Sequence, residues 1–382
     1  MLASIVIPAY NAGPHFEECL RSLLAQTCEN FEIIWVDNAS TDDSLAKVRK
    51  LFPQVRVLAL KQNAGYRRGS NVGVGHARGK YVIICNQDVR VEPTWLAEMI
   101  ACAEAAPDIG LVAPRIMLYD QPHVVNEAGN TLQYCGLFGS RGLGAPAAKY
   151  SRPETLATIS GCAFLIRRDL WIRLEGFSSD FDAFDTGFHA GFEDVDLAWR
   201  AQLQGHLVAF CPTAVMYHKF ERKDTNLQLF HAYEWNRYMI LLRNYRRRSL
   251  LAIAPMLMCL EIAACFLAAS RGPASFMRNL GVLRWFIVQR RLLGQMRRKI
   301  QSTRVVNDRT IVVRMETAVS FDRVIGGRRS MRVVQRIVAA VLTGYYRLFL
   351  GLLRLAEPSA DKPRLPAYEQ PRRQEKEERR AA

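Results

Sequence analysis

The stretch Lys80–Glu92, KYVIICNQDVRVE, decides the fold. Its residues 81–85 are apolar and partly β-branched, which is typical of a strand buried on both faces of a sheet. The apolar run stops abruptly at Asn86-Gln87-Asp88. Open α/β sheets bind ligands at the carboxyl ends of their strands, so a carboxylate here indicates a ligand site, with a plain polar turn as the alternative. Asp88 offers the hard oxygen that suits a divalent cation holding phosphates.

The chain before this stretch alternates apolar strands with helices. The predicted elements are the strands Ser4–Ile7, Phe31–Val36 and Val55–Leu60 and the helix His15–Gln26. Such alternation predicts a right-handed, mainly parallel sheet of the α/β class. Polar residues follow three strands, at Asn11, Asp37 and Asp88, and together they predict a nucleotide-type crevice.

A segment rich in glycine and arginine, NAGYRRGSNVG, follows the third strand at Asn63–Gly73. Its glycines permit close backbone approach or tight helix–sheet packing. Arg67 and Arg68 are candidates to contact a diphosphate, and a solvated basic turn is the alternative for at least one of them. The segment lacks the GxGxxG pattern, so we do not expect NAD.

Three carboxylates lie within four residues of the sequence GFEDVDLAWR (191–200). They stand at the start of a helix that is predicted at Val195–Gln204. Negative charge at a helix start partly compensates the helix dipole. The helix is largely apolar, however, and carboxylates at the edge of a core are candidates for a general base. His218 follows a further strand, Leu207–Cys211, where a metal or phosphate role competes with a structural one.

The segment between these two regions is less regular. We predict a helix at Trp95–Ala106, a short strand at Leu111–Pro114 and a strand at Ile159–Ile166. Asp120–Pro153 is rich in Gly, Pro and polar residues, which predicts a long, partly mobile connection over the site.

Charge is distributed unevenly over the 382 residues. Residues 1–270 are neutral, whereas residues 271–382 carry 25 basic and 9 acidic residues and hence the whole net charge of +16. Such a tail predicts an anionic partner. The basic residues alternate with long aliphatic runs, which favours an anionic membrane surface over nucleic acid. Nine scattered cysteines without a CxxC pair, and an apolar strand pattern at the start, predict a reduced, cytosol-facing protein.

The C-terminal region contains two long apolar stretches, Leu250–Ala269 and Val333–Leu355. The first is long enough to span a bilayer, but arginines flank both of its ends. We favour helices that lie in the membrane interface, with a single span or a buried core helix as alternatives. We therefore predict a membrane-associated region at 246–360 and a charged, disordered tail at 361–382.

Seven ordered motifs over about residues 1–245 resemble family 2 glycosyltransferases of the GT-A fold, close to the rhamnosyltransferase-like branch. They are SIVIPAYN (4–11), VDNASTDDS (36–44), NAGYRRGSNVG (63–73), NQDVRVEPTWL (86–96), SGCAFLIRRDLW (160–171), GFEDVDLAWR (191–200) and MYHK (216–219). The resemblance implies inverting transfer of a sugar, rhamnose from dTDP-rhamnose, to a glycan or polyprenyl-linked acceptor in cell-surface polysaccharide synthesis. A UDP-hexose or galactofuranose donor, or a non-catalytic nucleotide-sugar-binding protein, is the alternative.

The resemblance also implies roles for individual residues. Asp194 is the expected catalytic base, with Glu193 beside it, and Asp88 with His218 is expected to bind Mg²⁺ or Mn²⁺. The expected nucleotide-sugar contacts are Pro8, Ala9, Tyr10, Asn11, Asp37, Asn38, Arg67, Arg68, Asn71 and Asn86. The family's acidic triplet reads Asn86-Gln87-Asp88 here, so only one of its carboxylates is present. A donor of this kind implies a location at the cytoplasmic face of the inner membrane.

Overall fold

The computed structural model of the chain describes residues 1–182, 191–220, 227–270, 272–317 and 329–356. The strands, in chain order, are β1 Ala3–Ala9, β2 Phe31–Asp37, β3 Arg56–Ala59, β4 Tyr81–Cys85, β5 Val89–Val91, β6 Ile109–Leu118, β7 Gln121–Glu127, β8 Asn130–Leu132, β9 Phe138–Ser140, β10 Glu154–Thr155, β11 Ala163–Arg167 and β12 Leu207–His218. The helices are α1 Phe16–Leu24, α2 Ser44–Leu51, α3 Gly65–Gly75, α4 Trp95–Glu104, α5 Arg168–Arg173, α6 Glu193–Leu203, α7 Leu227–Asn244, α8 Arg247–Ser270, α9 Pro273–Val288, α10 Arg290–Ser302, α11 Asp308–Val312 and α12 Arg329–Ala356.

A ten-stranded mixed sheet forms the centre of the chain, with the order β10-β12-β6-β11-β4-β1-β2-β3 along its main path. The neighbours β4, β1, β2 and β3 are parallel, as are β6 and β12. Strand β11 runs antiparallel to both β4 and β6 and joins the two parallel groups. Ala9 is paired with Asp37, so the carboxyl ends of β1 and β2 meet at one edge. The predicted α/β fold with a mainly parallel sheet is confirmed.

The glycine-rich segment after β3 forms helix α3 and not a basic turn. A Cβ atom on Gly73 would lie 2.3 Å from Cγ1 of Val6 and 2.8 Å from Cγ2 of Val36. The helix therefore lies directly on β1 and β2, closer than any side chain at position 73 would permit.

The prediction of a long mobile connection at Asp120–Pro153 is wrong. Strand β7 pairs with β6, and β8 and β9 form a small hairpin of their own. The short strand predicted at Leu111–Pro114 is in fact the ten-residue strand β6. Likewise β12 continues from Leu207 to His218, with a register shift between Cys211 and Val215 that absorbs Pro212. Strands of three residues carry too little alternation to be recognised in a polar segment.

The C-terminal helices share a hydrophobic core with the sheet domain. Trp199 of α6, Tyr245 after α7, Val312 of α11 and Phe349 of α12 belong to one cluster of buried side chains. The predicted boundary between residues 245 and 246 lies within this cluster. The predicted tail at 361–382 lies outside the described residues.

Two helices in the described residues, at Arg247–Ser270 and Arg336–Leu355, are long and apolar enough to cross a membrane, judged by length and composition alone. Few residues of α8 are buried, so the alternative of a buried core helix is wrong for this segment. Its Glu261 faces the protein, where it accepts hydrogen bonds from the Tyr238 hydroxyl and from Asn279 Nδ2 at 2.9 Å. The exposed side of α8 is apolar, with Leu251 and Phe266 each about three-quarters exposed at 76% and 75%.

Candidate active site

A cavity of ≈ 270 Å³ lies at the carboxyl edge of the parallel strands. It is lined by Pro8, Tyr10, Asn38, Asn63, Gly65, Tyr66, Asn86, Gln87 and Asp88. These residues come from the ends of β1, β2 and β4 and from the start of α3. The edge where the sequence predicts a crevice is therefore the edge that carries a cavity.

Hydrogen bonds between the strand ends hold the mouth of this cavity. Gln87 Oε1 accepts from the Tyr10 backbone N–H at 3.0 Å, and Gln87 Nε2 donates to the Tyr10 carbonyl at 3.2 Å. Asn11 does not line the cavity; its Oδ1 accepts from the Thr41 N–H at 2.8 Å. Ala9 is buried beneath the cavity, where its carbonyl accepts from the Asn38 N–H at 2.8 Å.

Asp37 and Asn38 each have one side-chain oxygen that accepts no hydrogen bond from the described residues. Asp37 is almost wholly buried, and its Oδ2 accepts from the Ser40 N–H at 3.2 Å. Its Oδ1, and Oδ1 of Asn38, are buried without a hydrogen-bond partner among the described residues. Buried polar atoms normally have partners, so two orphaned acceptors at one strand end indicate a place for a ligand's N–H or O–H donors.

Asp88 and His218 are neighbours because β5, which directly follows Asp88, pairs with the end of β12. Their nearest atoms, Asp88 Oδ1 and His218 Nε2, are 3.6 Å apart, and Asp88 Oδ1 is buried without a hydrogen-bond partner in the described part of the chain. Nδ1 of His218 lies 2.9 Å from Asn126 Oδ1. An amide oxygen only accepts, so Nδ1 is the donor of this hydrogen bond, and Nε2 is the ring nitrogen that points at the carboxylate.

This pair of facing side chains has the composition of a partial metal site. A carboxylate oxygen and a neutral imidazole nitrogen are both ligands of divalent metals, and a second hydrogen bond that fixes the imidazole tautomer is typical of metal-bound histidine. No group of three or more His, Cys, Asp or Glu side chains that could hold a metal occurs among the described residues. The described part of the chain therefore offers two candidate ligands here, Asp88 and His218.

Asp194 lies at the start of α6 in a tightly bonded, buried pocket. Its Oδ2 accepts from the Gly161 N–H at 2.8 Å and from Asn130 Nδ2 at 3.3 Å, and its Oδ1 accepts from the Val195 N–H at 2.8 Å. Burial and the neighbouring Glu193 carboxylate raise the pKa of Asp194 to about 7. A carboxyl group that changes protonation near neutral pH has the property required of a general base.

Tyr66 connects Asp194 to the cavity. Its side chain lines the cavity, and its hydroxyl donates to the Gly161 carbonyl at 2.5 Å. Burial, followed by the charges of Glu193 and Asp194, raises the pKa of Tyr66 well above its ordinary value, so the phenol stays protonated as a donor. Gly161 thus contacts the cavity wall through its carbonyl and the candidate base through its N–H.

Glu193 and Arg67 form a second charged group behind Asp194. Burial raises the pKa of Glu193, and the positive charge of Arg67 lowers it to a smaller extent. Arg67 is buried, with its guanidinium 5.7 Å from the ring of Phe181. The residue preceding Glu193, Phe192, has a φ of 70°, which is unusual for a residue with a bulky side chain and fixes the entry of the chain into α6.

Asp196, the third carboxylate of the acidic cluster, has a different environment. It is fully buried, and its oxygens lie 2.6 Å from Arg200 Nε and 3.3 Å from Arg243 Nη2. Arg200 in turn donates to the Leu174 and Gly176 carbonyls. Asp196 is therefore a structural ion-pair partner that fixes α6, and only Glu193 and Asp194 face the candidate site.

Two predicted donor contacts lie away from the cavity. Asn71 uses both ends of its amide on the Phe177 backbone, at 2.9 Å and 3.0 Å, and so fixes the turn after α5. The structure therefore gives Asn71 a structural task at this turn. Arg68 is exposed on α3 and is not among the cavity residues.

Sequence reasoning missed the two asparagines that orient the candidate metal ligand and base. Asn126 and Asn130 flank a single turn between β7 and β8, and both are buried. Between them, Glu127 accepts hydrogen bonds from Ser140 Oγ at 2.6 Å and from Ser160 Oγ. The signal in the sequence is the polar run NEAGN directly after the apolar pair Val124-Val125. The partners of its two asparagines, however, are more than 60 residues away.

Comparison with known proteins finds similarity to glycosyltransferases. Residues 4–174 match the family model described as glycosyl transferase family 2. An N-acetylglucosaminyl-diphospho-decaprenol L-rhamnosyltransferase of Mycobacterium tuberculosis is 28% identical over 240 residues, which cover 56% of this chain and 75% of that protein. An uncharacterized glycosyltransferase of Haemophilus influenzae is 32% identical over 106 residues, covering 27% of this chain and 33% of that protein.

The extent of these matches differs from one protein to another. The alignment covers only 24% of an uncharacterized protein of Sinorhizobium fredii that is 28% identical over 229 residues. Among solved structures, GalNAc-T7 with UDP, GalNAc and Mn²⁺ superposes with a TM-score of 0.50 at 18% identity, covering 62% of this chain and 47% of that one. This likeness supports the GT-A type of fold. Residues 4–174 therefore resemble glycosyl transferase family 2 in sequence, and the fold is similar to that of a solved glycosyltransferase.

Proposed function

We propose that this protein transfers a sugar from a nucleotide-sugar donor to an acceptor hydroxyl with inversion at the anomeric carbon. The observation that carries the proposal is the position of Asp194, a buried carboxylate with a pKa of about 7, one peptide group away from a cavity at the sheet edge. An inverting transfer needs one base and one displacement, and no covalent enzyme nucleophile is required.

In the proposed reaction, Asp194 accepts the proton of the acceptor hydroxyl while that oxygen attacks the anomeric carbon. The bond between this carbon and the diphosphate oxygen breaks on the opposite face, and a nucleoside diphosphate leaves. The hydrogen bonds from Gly161 and Asn130 hold the carboxylate in place. The raised pKa makes it a competent proton acceptor at neutral pH.

The residues in and around the cavity at the sheet edge are proposed to bind the donor. Asp37 and Asn38 present their orphaned oxygens to the nucleobase or ribose, and Pro8, Tyr10 and Asn86 line the nucleotide pocket. Asp88 and His218 would hold Mg²⁺ or Mn²⁺, which supplies Lewis-acid stabilisation of the charge on the leaving diphosphate. Ala9 and Asn11 are proposed to support this pocket from below and from its rim.

For the donor we propose dTDP-rhamnose, and for the acceptor a polyprenyl-linked glycan. The support is the 28% identity over 240 residues to the mycobacterial rhamnosyltransferase, whose name specifies a decaprenol-linked substrate. The exposed apolar face of α8 supports association with the membrane, and a nucleotide-sugar donor supports its cytoplasmic face. UDP-hexose and UDP-galactofuranose remain the alternative donors.

The test is release of nucleoside diphosphate from a panel of nucleotide sugars, with Mn²⁺, Mg²⁺ or a chelator. We expect release from dTDP-rhamnose that needs metal and falls by about 10²–10⁴-fold in Asp194→Asn. Asp43→Asn is the matched control, because Asp43 forms only an exposed ion pair with Lys47. Release from a UDP-sugar alone would replace the donor assignment, whereas nucleotide binding without any release would favour a non-catalytic binding protein.

A further inference from the structure

The hairpin of β8 and β9 places a row of side chains beside the candidate base. Asn130 is paired with Ser140 across the hairpin and with Thr158 on its other side. Directly paired residues of antiparallel strands carry their side chains on the same face, with Cβ atoms about 4.5–5.5 Å apart. Phe138 lies two positions before Ser140 and therefore belongs to that face as well. We call the surface formed by Phe138, Ser140, Asn130 and Thr158 the hairpin face.

The hairpin face lies against the start of α6. Asn130 Nδ2 donates to Asp194 Oδ2 at 3.3 Å, and the ring centroids of Phe138 and Phe192 are 4.5 Å apart. Phe192 directly precedes Glu193 and Asp194 in the chain. A molecule bound on the hairpin face would therefore lie next to the candidate base.

Two polar atoms of the hairpin face are buried without a hydrogen-bond partner among the described residues. They are Oδ1 of Asn130 and Oγ1 of Thr158. Asn130 is 7% exposed, and Thr158 is fully buried. Buried polar groups normally have partners, so these two atoms indicate a ligand that carries hydroxyl groups.

Glu127 adds a carboxylate at the rim of the hairpin face. Its oxygens accept hydrogen bonds from Ser140 Oγ at 2.6 Å and from Ser160 Oγ, so the side chain is held in place although it is only half-buried. An ionised carboxylate has about four acceptor positions, so Glu127 can accept further hydrogen bonds from a ligand. Besides burial and Glu193, the charge of Glu127 raises the pKa of Asp194, which places Glu127 near the base.

The charge of this surface distinguishes neutral from anionic ligands. Glu127, Glu193 and Asp194 are all acidic, so a phosphate group would meet like charge. Phe138 is half-buried and offers an aromatic ring beside the polar atoms. A sugar ring carries hydroxyl groups on its edge and has an apolar face that packs on aromatic rings, so it matches both properties.

We propose that the hairpin face binds a neutral pyranose ring of the acceptor. Asn130 Oδ1, Thr158 Oγ1 and the Glu127 carboxylate would accept hydrogen bonds from its hydroxyl groups. Phe138 would pack against its apolar face, and the reacting hydroxyl would point at Asp194. This inference rests on the proposed sugar transfer, and it adds that the acceptor is recognised through a sugar ring and not through a phosphate.

The test is saturation-transfer NMR of the full-length protein with methyl pyranosides of gluco, galacto, manno, rhamno and N-acetylgluco configuration. Thr158→Val removes the hydroxyl at nearly constant shape. Thr131→Val is its control, because Thr131 lies on the opposite face of the hairpin, where its hydroxyl donates to the Gly139 carbonyl. We expect Thr158→Val to weaken pyranoside binding by about three- to tenfold, the loss of one neutral hydrogen bond, and Thr131→Val to bind as wild type does.

Stability separates a ligand contact from a structural role of Thr158. Its hydroxyl has no partner among the described residues, so Thr158→Val should not lower the urea unfolding midpoint. Weaker pyranoside binding at an unchanged midpoint would support the proposal. No saturation transfer to any pyranoside in the wild-type protein, or equal binding by Thr158→Val and Thr131→Val, would overturn it.

The carboxylate is tested with Glu127→Gln, whose amide can still form hydrogen bonds with both serine hydroxyls. Glu104→Gln is the control, because Glu104 lies on α4 and bonds Lys80 at 3.0 Å. Glu127→Gln should weaken pyranoside binding by about tenfold, since hydrogen bonds to an ionised acceptor are about twice as strong as neutral ones. Tighter binding of glucose 1-phosphate than of methyl glucoside would mean that the site takes a phosphate, and the proposal would be wrong.

Nucleoside diphosphate release distinguishes this inference from the proposed function. With donor present, KM for the pyranoside that binds should rise in Thr158→Val, while KM for the donor stays unchanged. If pyranoside binding depends on Thr158 but the wild-type protein releases no nucleotide from any donor, the proposed transfer fails and the sugar subsite stands. Release without any pyranoside binding would leave the transfer standing and refute the subsite.

Discussion

Asp194 differs from its neighbours because it combines burial with three hydrogen bonds and an adjacent negative charge. The hydrogen bonds favour the carboxylate, while burial and Glu193 favour the neutral acid, and the balance lies at a pKa of about 7. The state of this one group is therefore sensitive to single changes around it.

A pH profile should report this balance. The base must be deprotonated, so we expect kcat/KM to fall tenfold for each pH unit below about 7. Glu193→Gln removes the neighbouring negative charge that raises the pKa of Asp194, and the acid limb should therefore move to lower pH. An acid limb that stays at the same pH in Glu193→Gln, in a protein with unchanged thermal unfolding, would contradict this account.

The two buried asparagines give separable predictions. Asn126→Ala removes the partner of His218 Nδ1, so the Mn²⁺ concentration for half-maximal activity should rise by about 10–100-fold. Asn130→Ala removes a hydrogen bond that favours the Asp194 carboxylate, so its acid limb should move to higher pH with little change in metal requirement. Each variant is the control for the other. The same response from both would indicate a general loss of structure.

Among single residues, the sequence predicts those at strand ends better than those whose hydrogen bonds fix the orientation of other side chains. Asp37, Asp88 and His218 each follow an apolar run, so their place at the sheet edge is readable from local pattern. Asn126 and Asn130 act through contacts 92 and 64 positions away. Such contacts depend on how β7 and β8 pack, which no local pattern encodes.

Among the elements, helix α3 depends most closely on glycine, because its packing against the sheet leaves no room for side chains at some positions. Its Gly69 and Gly73 are one turn apart and face β2 and β1, with Asn38 next to Gly69 and Val6 next to Gly73. Glycine is a poor helix former, so four glycines in eleven residues weaken the helix itself. The close approach keeps Gly65 and Tyr66, at the start of the helix, at the cavity.

Gly73→Ala should be destabilising although alanine is the better helix former. Its Cβ would overlap Val6, and forcing an extra carbon into a packed interface costs about 1–3 kcal/mol. Gly75→Ala, in the same helix, meets no atom within 4 Å and should be neutral or slightly stabilising. Urea unfolding midpoints compare the two. A stable Gly73→Ala would mean that α3 can lift from the sheet without cost.

The elements that the sequence predicts correctly are the long apolar ones. Strands β1, β2 and β4 and helix α1 have clear hydrophobic patterns, and each is confirmed to within a few residues at either end. The segment at 120–153 reads as a loop because its strands have no clear hydrophobic pattern of their own. They are stabilised by pairing with β6 and with each other. Pairing of that kind is a tertiary effect and leaves little trace in composition.

In the whole molecule, helix α7 connects the sheet domain to the C-terminal helices. Trp235, Met239 and Ile240 of α7 are fully buried in the same cluster as Ile300 of α10 and Leu342 of α12. The charged side chain of Arg243 is also buried there, paired with Asp196. Sequence composition changes near residue 245, but the hydrophobic core does not end there.

A protein truncated after residue 245 should therefore be less stable than the full chain. The cut exposes the apolar side of α7, because its partners in α9 and α10 are removed. We expect aggregation on expression, or a lower urea midpoint for the soluble fraction. A truncated protein that unfolds cooperatively at the same midpoint would establish residues 1–245 as an independent domain.

During synthesis of the chain, the candidate active site is complete only after β12 has left the ribosome and paired with β6. Asp88 is in place once β4 has formed, but Asp194 and His218 lie 106 and 130 positions later in the chain, on α6 and β12. A nascent chain that has left the ribosome only as far as residue 174 therefore has most of the donor cavity but neither the base nor the histidine. While this chain is still attached to the ribosome, it can at most bind a nucleotide sugar, and it cannot transfer the sugar.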